Sequence, residues 1–538
     1  MRRRWLRVFA TVLAFAVATP VAQDAAPPRL VVIVVVDQFR AGYLETFKHR
    51  WQDGFRTLLV EGAWFERAEY PYMNTVTCAG HATIATGTLP RTHGIVLNGW
   101  WDREQRVVTA CTADPGAPHI SYGLPARSGN SGRHLRVNTF ADELRAQKPG
   151  ARVVSLSLKE TSAIGLAGHG GDVVTWFDDG SGSFVTSRAF ASEPVKAVSD
   201  FLTRDPHDAE NGRTWALLDR PDTYRFADAN PGARPPQTWS GLFPHAVVGR
   251  NGADAVFHDL WQATPLSDAY MGRMAASLID TLALGQRDQT DFLGISFSAL
   301  DLVGHAFGPE SREVEDLLAR LDGTLGALIK QLDAKVGRDA YTLALSADHG
   351  VAPIPVPGKY GRIVTDEVRE RVEETLDLRF GMREAPYVDS VVFNYVYLAP
   401  GIFDRLRASD ADMRAVEAAV RSLSGVERVL RSDRVSEMGS DPVERAVALS
   451  HVPGRSGDLI VVPQPYWFLA PRTSTAGTTH GSSRPYDRHV PILLLGSGIK
   501  AGRYEQAATP ADIAPTLADL ADVRLPRAEG RVLKEALR

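Results

Sequence analysis

The chain has 538 residues, 44% of them hydrophobic, a length that suits one large domain with insertions or two to four smaller ones. Sixty Lys and Arg against 64 Asp and Glu leave a net charge of −4. That balance excludes a general electrostatic binder of nucleic-acid duplex or anionic membrane, so any anion site must be local.

Residues 1–22 read as a secretory signal. Arg2, Arg3, Arg4 and Arg7 form a positive segment, Val8–Val17 a short apolar one, and Ala16-Val17-Ala18 a cleavage site. The apolar run is too short to span a bilayer, no Cys follows it, and no later stretch reads as a transmembrane helix. The expectation is an exported protein, periplasmic or extracellular, monomeric, with no membrane span once the leader is removed. The two cysteines, Cys78 and Cys111, can pair in an oxidising compartment or remain buried thiols, and the sequence leaves both open.

After a polar spacer over Gln23–Pro28, the β-branched run Leu30–Val36 predicts a strand buried on both faces, as in a parallel sheet. Asp37 follows it, at the strand end where open α/β sheets place ligands. Helical turns are predicted around Tyr43–Glu45 and Phe55–Val60, then a strand at 63–65. Next comes Asn74–Thr83, a run of small and hydroxylated residues leading into a helix-compatible stretch from Ala79 to Gly87. A Thr there is either a helix N-cap or a hydroxyl nucleophile at the positive end of the helix. Leu97–Asp102 follows, and then a polar, Gly-rich loop to Asn138 is expected, followed by a helix over 140–147 and a strand over 151–158 running into Lys159.

The stretch 168–265 reads as hairpins and loops added to the core and carries Asp178-Asp179-Gly180-Ser181-Gly182. A helix is predicted over 270–284 and a strand over 292–300 that ends at Asp301. The leucine stripe of Val314–Leu332 predicts a long amphipathic helix. The run 341–346 predicts a strand leading to Asp348-His349-Gly350. A small α/β insertion is expected over 365–430, strands near 458–462 and 490–495, and a last helix over 510–520. There is no internal repeat and no coiled-coil heptad.

Three predicted strands thus end in a carboxylate: Asp37, Asp301 and Asp348. Asp301 and His305 are four apart, the spacing of two ligands on one helical face. His349 follows Asp348 directly, and His480 lies in the loop Ala476–Ser482. Each pair alone reads as two exposed polar residues. Three Asp and three His together suit zinc, which accepts imidazole nitrogen and carboxylate oxygen.

The segments Val36-Asp37, Thr77-Cys78-Ala79-Gly80-His81, Asn98-Gly99-Trp100, Leu158-Lys159, Asp301-Leu302-Val303-Gly304-His305, Ala347-Asp348-His349-Gly350 and Thr479-His480-Gly481 cover most of the chain after the leader. In this order they resemble the alkaline phosphatase superfamily, in its branch of bacterial exported phosphatases with a Thr nucleophile, similar to type I phosphodiesterases and nucleotide pyrophosphatases. The resemblance implies an α/β fold with a central, mostly parallel sheet flanked by helices. The catalytic domain would fill 29–538, with insertions at about 168–265 and 365–430. It also implies two Zn2+ ions, one held by Asp301, His305 and His480, the other by Asp37, Asp348, His349 and the oxygen of Thr77. It selects Thr77 over Thr75 as nucleophile, and makes Asn98 and Lys159 ligands of phosphate oxygens; their bland alternatives are a turn Asn and a solvated Lys.

The implied reaction is hydrolysis of a small phosphate monoester through phospho-Thr. A phosphodiesterase or nucleotide pyrophosphatase on the same scaffold is the alternative, and a silent zinc- or phosphate-binding protein a third. Sulfatases use a modified Cys or Ser where Thr77 stands. One departure bears on specificity: the branch carries Lys-x-Arg where this chain has Lys159-Glu160-Thr161. A bidentate Arg is missing there, and Arg484 and Arg488 are the nearest replacements in sequence.

Overall fold

The computed structural model describes residues 26–538 apart from Gln237, Pro357, Met438 and Ser440, so the leader expected at 1–22 lies outside the described residues. Leu30–Val36, buried at every position, runs through the middle of an 11-stranded sheet. Its order is Gly502–Tyr504, Ala63–Phe65, Ile492–Gly496, Tyr341–Ser346, Leu30–Val36, Asp291–Phe297, Val153–Ser157, Val173–Asp178, Ser183–Ser187, Ala113–Ser121 and Gly129–Asn130.

The five strands from Tyr341–Ser346 to Val173–Asp178 are parallel. Antiparallel strands close both flanks of this block. Val35 lies opposite Ser346 and Ser296, and Ser296 opposite Ser157. Four strands therefore end level, and the chain leaves that one edge at Asp37, Lys159, Ser298 and Ala347.

Alternation along the central strand divides the core into two layers. Leu30, Val32, Val34 and Val36 face the helices Pro265–Thr281 and Arg312–Lys335, through Met271, Met274, Leu317 and Leu321 among others. Val31, Ile33 and Val35 face Phe140–Gln147 and Ile513–Leu520. Burial on both faces is why this strand reads as an unbroken apolar run.

The structure corrects three expectations. The stretch from Asp102 to Asn138 is not a loop: it contains the second strand of the hairpin Gly99–Asp102/Val107–Ala110 and the strands Ala113–Ser121 and Gly129–Asn130. Pro115 and Pro118 hide the longer strand; they are tolerated because its register with Gly129–Asn130 is broken between Ala113 and Pro118. The 168–265 stretch begins with two members of the main sheet, Val173–Asp178 and Ser183–Ser187, before its helices Lys196–Arg204 and Ala255–Gln262. The strand expected over 292–300 stops at Phe297, and Asp301 sits in the first turn of the helix Ala299–Phe307. The buried carboxylate of Asp268 accepts the N–H groups of Ser298 and Ala299 at 3.1 and 3.3 Å, satisfying the amides that open this helix.

A second, four-stranded sheet has the order Val388–Val392, Tyr395–Leu398, Leu459–Pro463, Val426–Arg431. It is covered by Thr365–Phe380 and Asp410–Arg421 and has its own apolar cluster. Its bend reaches the Thr-rich turn: Asn394 Nδ2 donates to Asn74 Oδ1 at 2.9 Å, and Asn74 Nδ2 donates to the Tyr395 hydroxyl at 2.9 Å.

Candidate active site

Thr77 opens the ten-residue helix Thr77–Thr86, which ends on a left-handed Gly87. The residue before it, Val76, is the N-cap and makes no side-chain cap, so Thr77 does not play the capping role its position suggested. The hydroxyl of Thr75 is committed elsewhere, donating to the Ser482 carbonyl at 3.0 Å.

Six of the Asp and His residues gather beside Thr77 in two groups of three. Asp37, Asp348 and His349 form one; Asp301, His305 and His480 form the other. Within each, potential ligand atoms lie within 4.8 Å of one another. Five of the six are buried, and His305 is half-buried.

Every histidine donates its Nδ1 proton to a backbone carbonyl: His349 to Gly350 at 2.9 Å, His305 to Thr478 at 2.8 Å and His480 to Thr75 at 2.9 Å. A carbonyl can only accept, so in a neutral ring Nε2 keeps the lone pair; burial favours that form in His349 and His480, whereas at His305 the neighbouring Asp301 outweighs burial and raises the pKa. His349 Nε2 lies 3.4 Å from both Asp37 Oδ1 and Asp348 Oδ2. Those two oxygens are buried without a hydrogen-bond partner. His305 Nε2 and His480 Nε2 lie 3.2 and 3.7 Å from Asp301 Oδ1. Buried acceptors facing acceptors are unfavourable unless a cation joins them. The nitrogen-and-carboxylate donor sets, each imidazole oriented by a carbonyl, fit zinc.

Lys159 ties the two groups together, with Nζ 2.6 Å from Asp37 Oδ2 and 2.5 Å from Asp301 Oδ2. Burial, then the neighbouring Asp301 and Asp348, push the Asp37 carboxyl well above its usual range. Burial also acts on Asp301, but Lys159 and His305 outweigh it and hold that carboxyl well below the usual range. Burial lowers His349 and His480, keeping both imidazoles neutral. The Thr77 hydroxyl donates to the free Nε2 of His349 at 3.3 Å.

Asn98 is exposed, and its Oδ1 accepts the Cys78 N–H at 2.9 Å, which turns its NH2 outward as a donor. Its carbonyl accepts the Cys111 N–H at 2.9 Å. Cys78 and Cys111 form a disulfide, so Asn98 is held by both halves of one bridge.

A model of the type I phosphodiesterase/nucleotide pyrophosphatase family matches residues 31–485. This chain belongs to that family. Within the family it is 31% identical to the alkaline phosphatase PhoV of Synechococcus elongatus over 96% of this chain and 94% of that one. It is 31% identical to the alkaline phosphatase PafA of Elizabethkingia meningoseptica over 95% and 94% of the respective chains. The crystal structure of wild-type alkaline phosphatase PafA superposes with a TM-score of 0.86 at 30% identity, over 96% of this chain and all of that one. This extends the likeness from motifs to the whole α/β architecture.

Three residues of this family member escaped the sequence reading. Gln38, buried at φ 67°, donates its Nε2 proton to Asp301 Oδ1 at 2.6 Å and its backbone N–H to Asp348 Oδ1 at 3.1 Å. His81 sits 2.9 Å from the Thr77 carbonyl and 3.4 Å from Asp348 Oδ2. Asp268 holds the Asp301 helix. Only His81 had a signal, its place four residues after Thr77 on one helical face. Arg484 and Arg488 do not serve as the missing second cation: Arg484 binds Glu427 and the Pro463 carbonyl, and Arg488 binds Glu69 and the Tyr70 carbonyl.

Proposed function

We propose that this chain is an exported phosphomonoesterase that uses Thr77 as nucleophile and two zinc ions. Asp301, His305 and His480 would hold one ion, and Asp37, Asp348, His349 and the Thr77 oxygen the other. The observation that carries the reading is the meeting of two Nε2/carboxylate groups at the N-terminus of the helix that Thr77 opens. Zinc bound there supplies Lewis acidity, which lowers the pKa of a nearby hydroxyl and favours negative charge on phosphate oxygens.

The chain's own groups do the rest. Thr77 Oγ1 bonds phosphorus as the bond to the leaving alcohol breaks, and water hydrolyses the resulting phospho-Thr. The outward NH2 of Asn98 and the ammonium of Lys159 donate to phosphoryl oxygens. The helix N-terminus adds its partial positive charge. The Cys78–Cys111 bridge supports a periplasmic or extracellular location, since disulfides persist in oxidising compartments.

The test assays purified protein on a monoester, a diester and a sulfate ester, before and after chelation. The expected result is fastest hydrolysis of the monoester, loss of activity in EDTA and recovery with zinc. Full activity in metal-free protein, or a preference for the sulfate ester, would overturn it. A second reading, phosphodiester hydrolysis, is favoured by one observation: Thr161 stands where an Arg is expected, and neither Arg484 nor Arg488 replaces it.

A further inference from the structure

A third cluster of ligand-type side chains lies away from the catalytic groups, in the 168–265 stretch. His207, Asp208 and His258 bring one potential ligand atom each within 4.8 Å of the others. His207 and Asp208 open the short 3-10 turn His207–Glu210, and His258 belongs to the helix Ala255–Gln262. Asp208 Oδ1 is 3.0 Å from His207 Nε2 and 3.4 Å from His258 Nε2. Donors bound to zinc at its usual His and carboxylate distances in a tetrahedron stand about 3.3 Å apart. His207 Nε2 is buried, and although near Asp208 it has no hydrogen-bond partner, so the contact is not an ordinary His–Asp bond.

Aromatic packing sets both rings in place, and Asp208 Oδ1 is within hydrogen-bond range of His258 Nε2. Phe177 packs on both imidazoles, at 5.3 Å from His207 and 5.4 Å from His258, and Trp261 lies 5.3 Å from His207. Turn and helix are joined independently: Trp261 Nε1 donates to Glu210 Oε2 at 2.6 Å, one helical turn beyond His258. Gly182, at φ 64°, ends the Asp178-Asp179-Gly180-Ser181-Gly182 turn against the His258 ring, where a Cβ would come 2.6 Å from Nδ1. The outer side is open, since the Asp208 side chain is 55% exposed. Asp179 and Asp259 stand nearby and add negative charge.

We propose that His207, Asp208 and His258 bind a further zinc ion, separate from the catalytic pair, with solvent completing its coordination. The ion pins the 3-10 turn and the 255–262 helix beside the hairpin that extends the main sheet. Two imidazoles and one carboxylate suit zinc over calcium or magnesium, which take oxygen ligands.

The test is zinc content per chain. Intact protein, the Asp208→Ala variant and the His207→Ala/His258→Ala double variant are equilibrated with the same buffered micromolar zinc, and bound zinc is measured by atomic emission. The expected result is one equivalent less in each variant than in wild type. Equal content in wild type and Asp208→Ala would overturn the proposal. Asp208 is exposed, so its variant keeps both rings packed and remains decisive if the double variant misfolds. A failure of the two-zinc catalytic reading would lower all three contents together and leave the difference of one equivalent intact.

Discussion

The main chain of Asp348 lies so close to Gly80 that a Cβ on the glycine would stand 2.3 Å from the Asp348 carbonyl oxygen and 2.6 Å from its Cα. This contact docks the Thr77 helix directly on a strand end of the main sheet. It sets the distance between the Thr77 hydroxyl and the Asp37–Asp348–His349 group.

Gly80→Ala forces that helix away from Asp348. Overpacking of this kind costs about 1–3 kcal/mol of stability, and a shift of about 1 Å at a reacting group costs roughly a hundredfold in rate. The expected outcome is a folded protein with kcat/KM for a monoester down about a hundredfold. A wild-type rate in the variant would show that the helix position does not set the chemistry.

Gln38→Leu removes the donor to Asp301 Oδ1 and leaves a bulkier, β-unbranched side chain at the same positive φ. Partners that orient metal ligands typically contribute about ten- to a hundredfold in metal affinity. Zinc competition against a chelator should therefore show a loss of that size at the catalytic groups. An unchanged affinity would mean that Asp301 needs no help from Gln38.

Much of this was legible in the chain. Asp37 and Asp348 follow strands buried on both faces, whose unbroken apolar runs mark both the strand and its end. Asp301 was misplaced by one helical turn, because nothing apolar or polar in Phe292–Leu300 separates strand from helix; the break comes from Asp268, about thirty residues away in sequence. Gln38 was invisible for a similar reason, since its role depends on a positive φ and on a partner 263 positions later. The strand Ala113–Ser121 was hidden by two prolines, tolerated because its register with Gly129–Asn130 is broken between Ala113 and Pro118.

His93 ties the stability of the Thr77 helix to pH. Its Nδ1 accepts the Ile95 N–H at 3.1 Å, and its Nε2 proton goes to Thr83 Oγ1 at 3.1 Å, whose own proton is given to Ala79. Burial, then Arg455, push this imidazole down to about 3. The unfolded chain, with an ordinary imidazole, takes up the proton first as pH falls. Stability is therefore complete above about 6.5 and is lost toward pH 3, by about 1.4 kcal/mol per pH unit at most. Urea midpoints of wild type and His93→Gln between pH 7 and 4.5 should show a shallower slope in the variant. Equal slopes would mean that His93 does not govern acid unfolding.

The Cys78–Cys111 bridge closes a loop of 33 residues. Loop closure of that length corresponds to about 3–4 kcal/mol at 25 °C in the chain-entropy picture. Cys78→Ser/Cys111→Ser should lose stability of that order by denaturant unfolding. It should also lower kcat/KM, because both halves of the bridge hold Asn98. Full activity with lowered stability would separate the bridge from the Asn98 amide.

Thr161 tests the choice between monoester and diester. It lies in the first turn of the helix Glu160–Ala167, two residues after Lys159, and lines a small cavity with Cys78, Cys111, Thr112 and Ser131. It is thus beside the residue that follows Thr77, and an Arg side chain is long enough to reach past the disulfide. A monoester carries nearly two negative charges on its phosphoryl oxygens and a diester one, so a second cation next to Lys159 favours the monoester more. A charge-assisted hydrogen bond is worth about 1.5–3 kcal/mol. Thr161→Arg is expected to raise the monoester-to-diester ratio of kcat/KM by roughly ten- to a hundredfold, measured with both substrates on wild type and variant. An unchanged or lower ratio, in a variant that folds and keeps its zinc, would mean that position 161 does not face the phosphoryl group and that Lys159 with Asn98 sets the specificity alone.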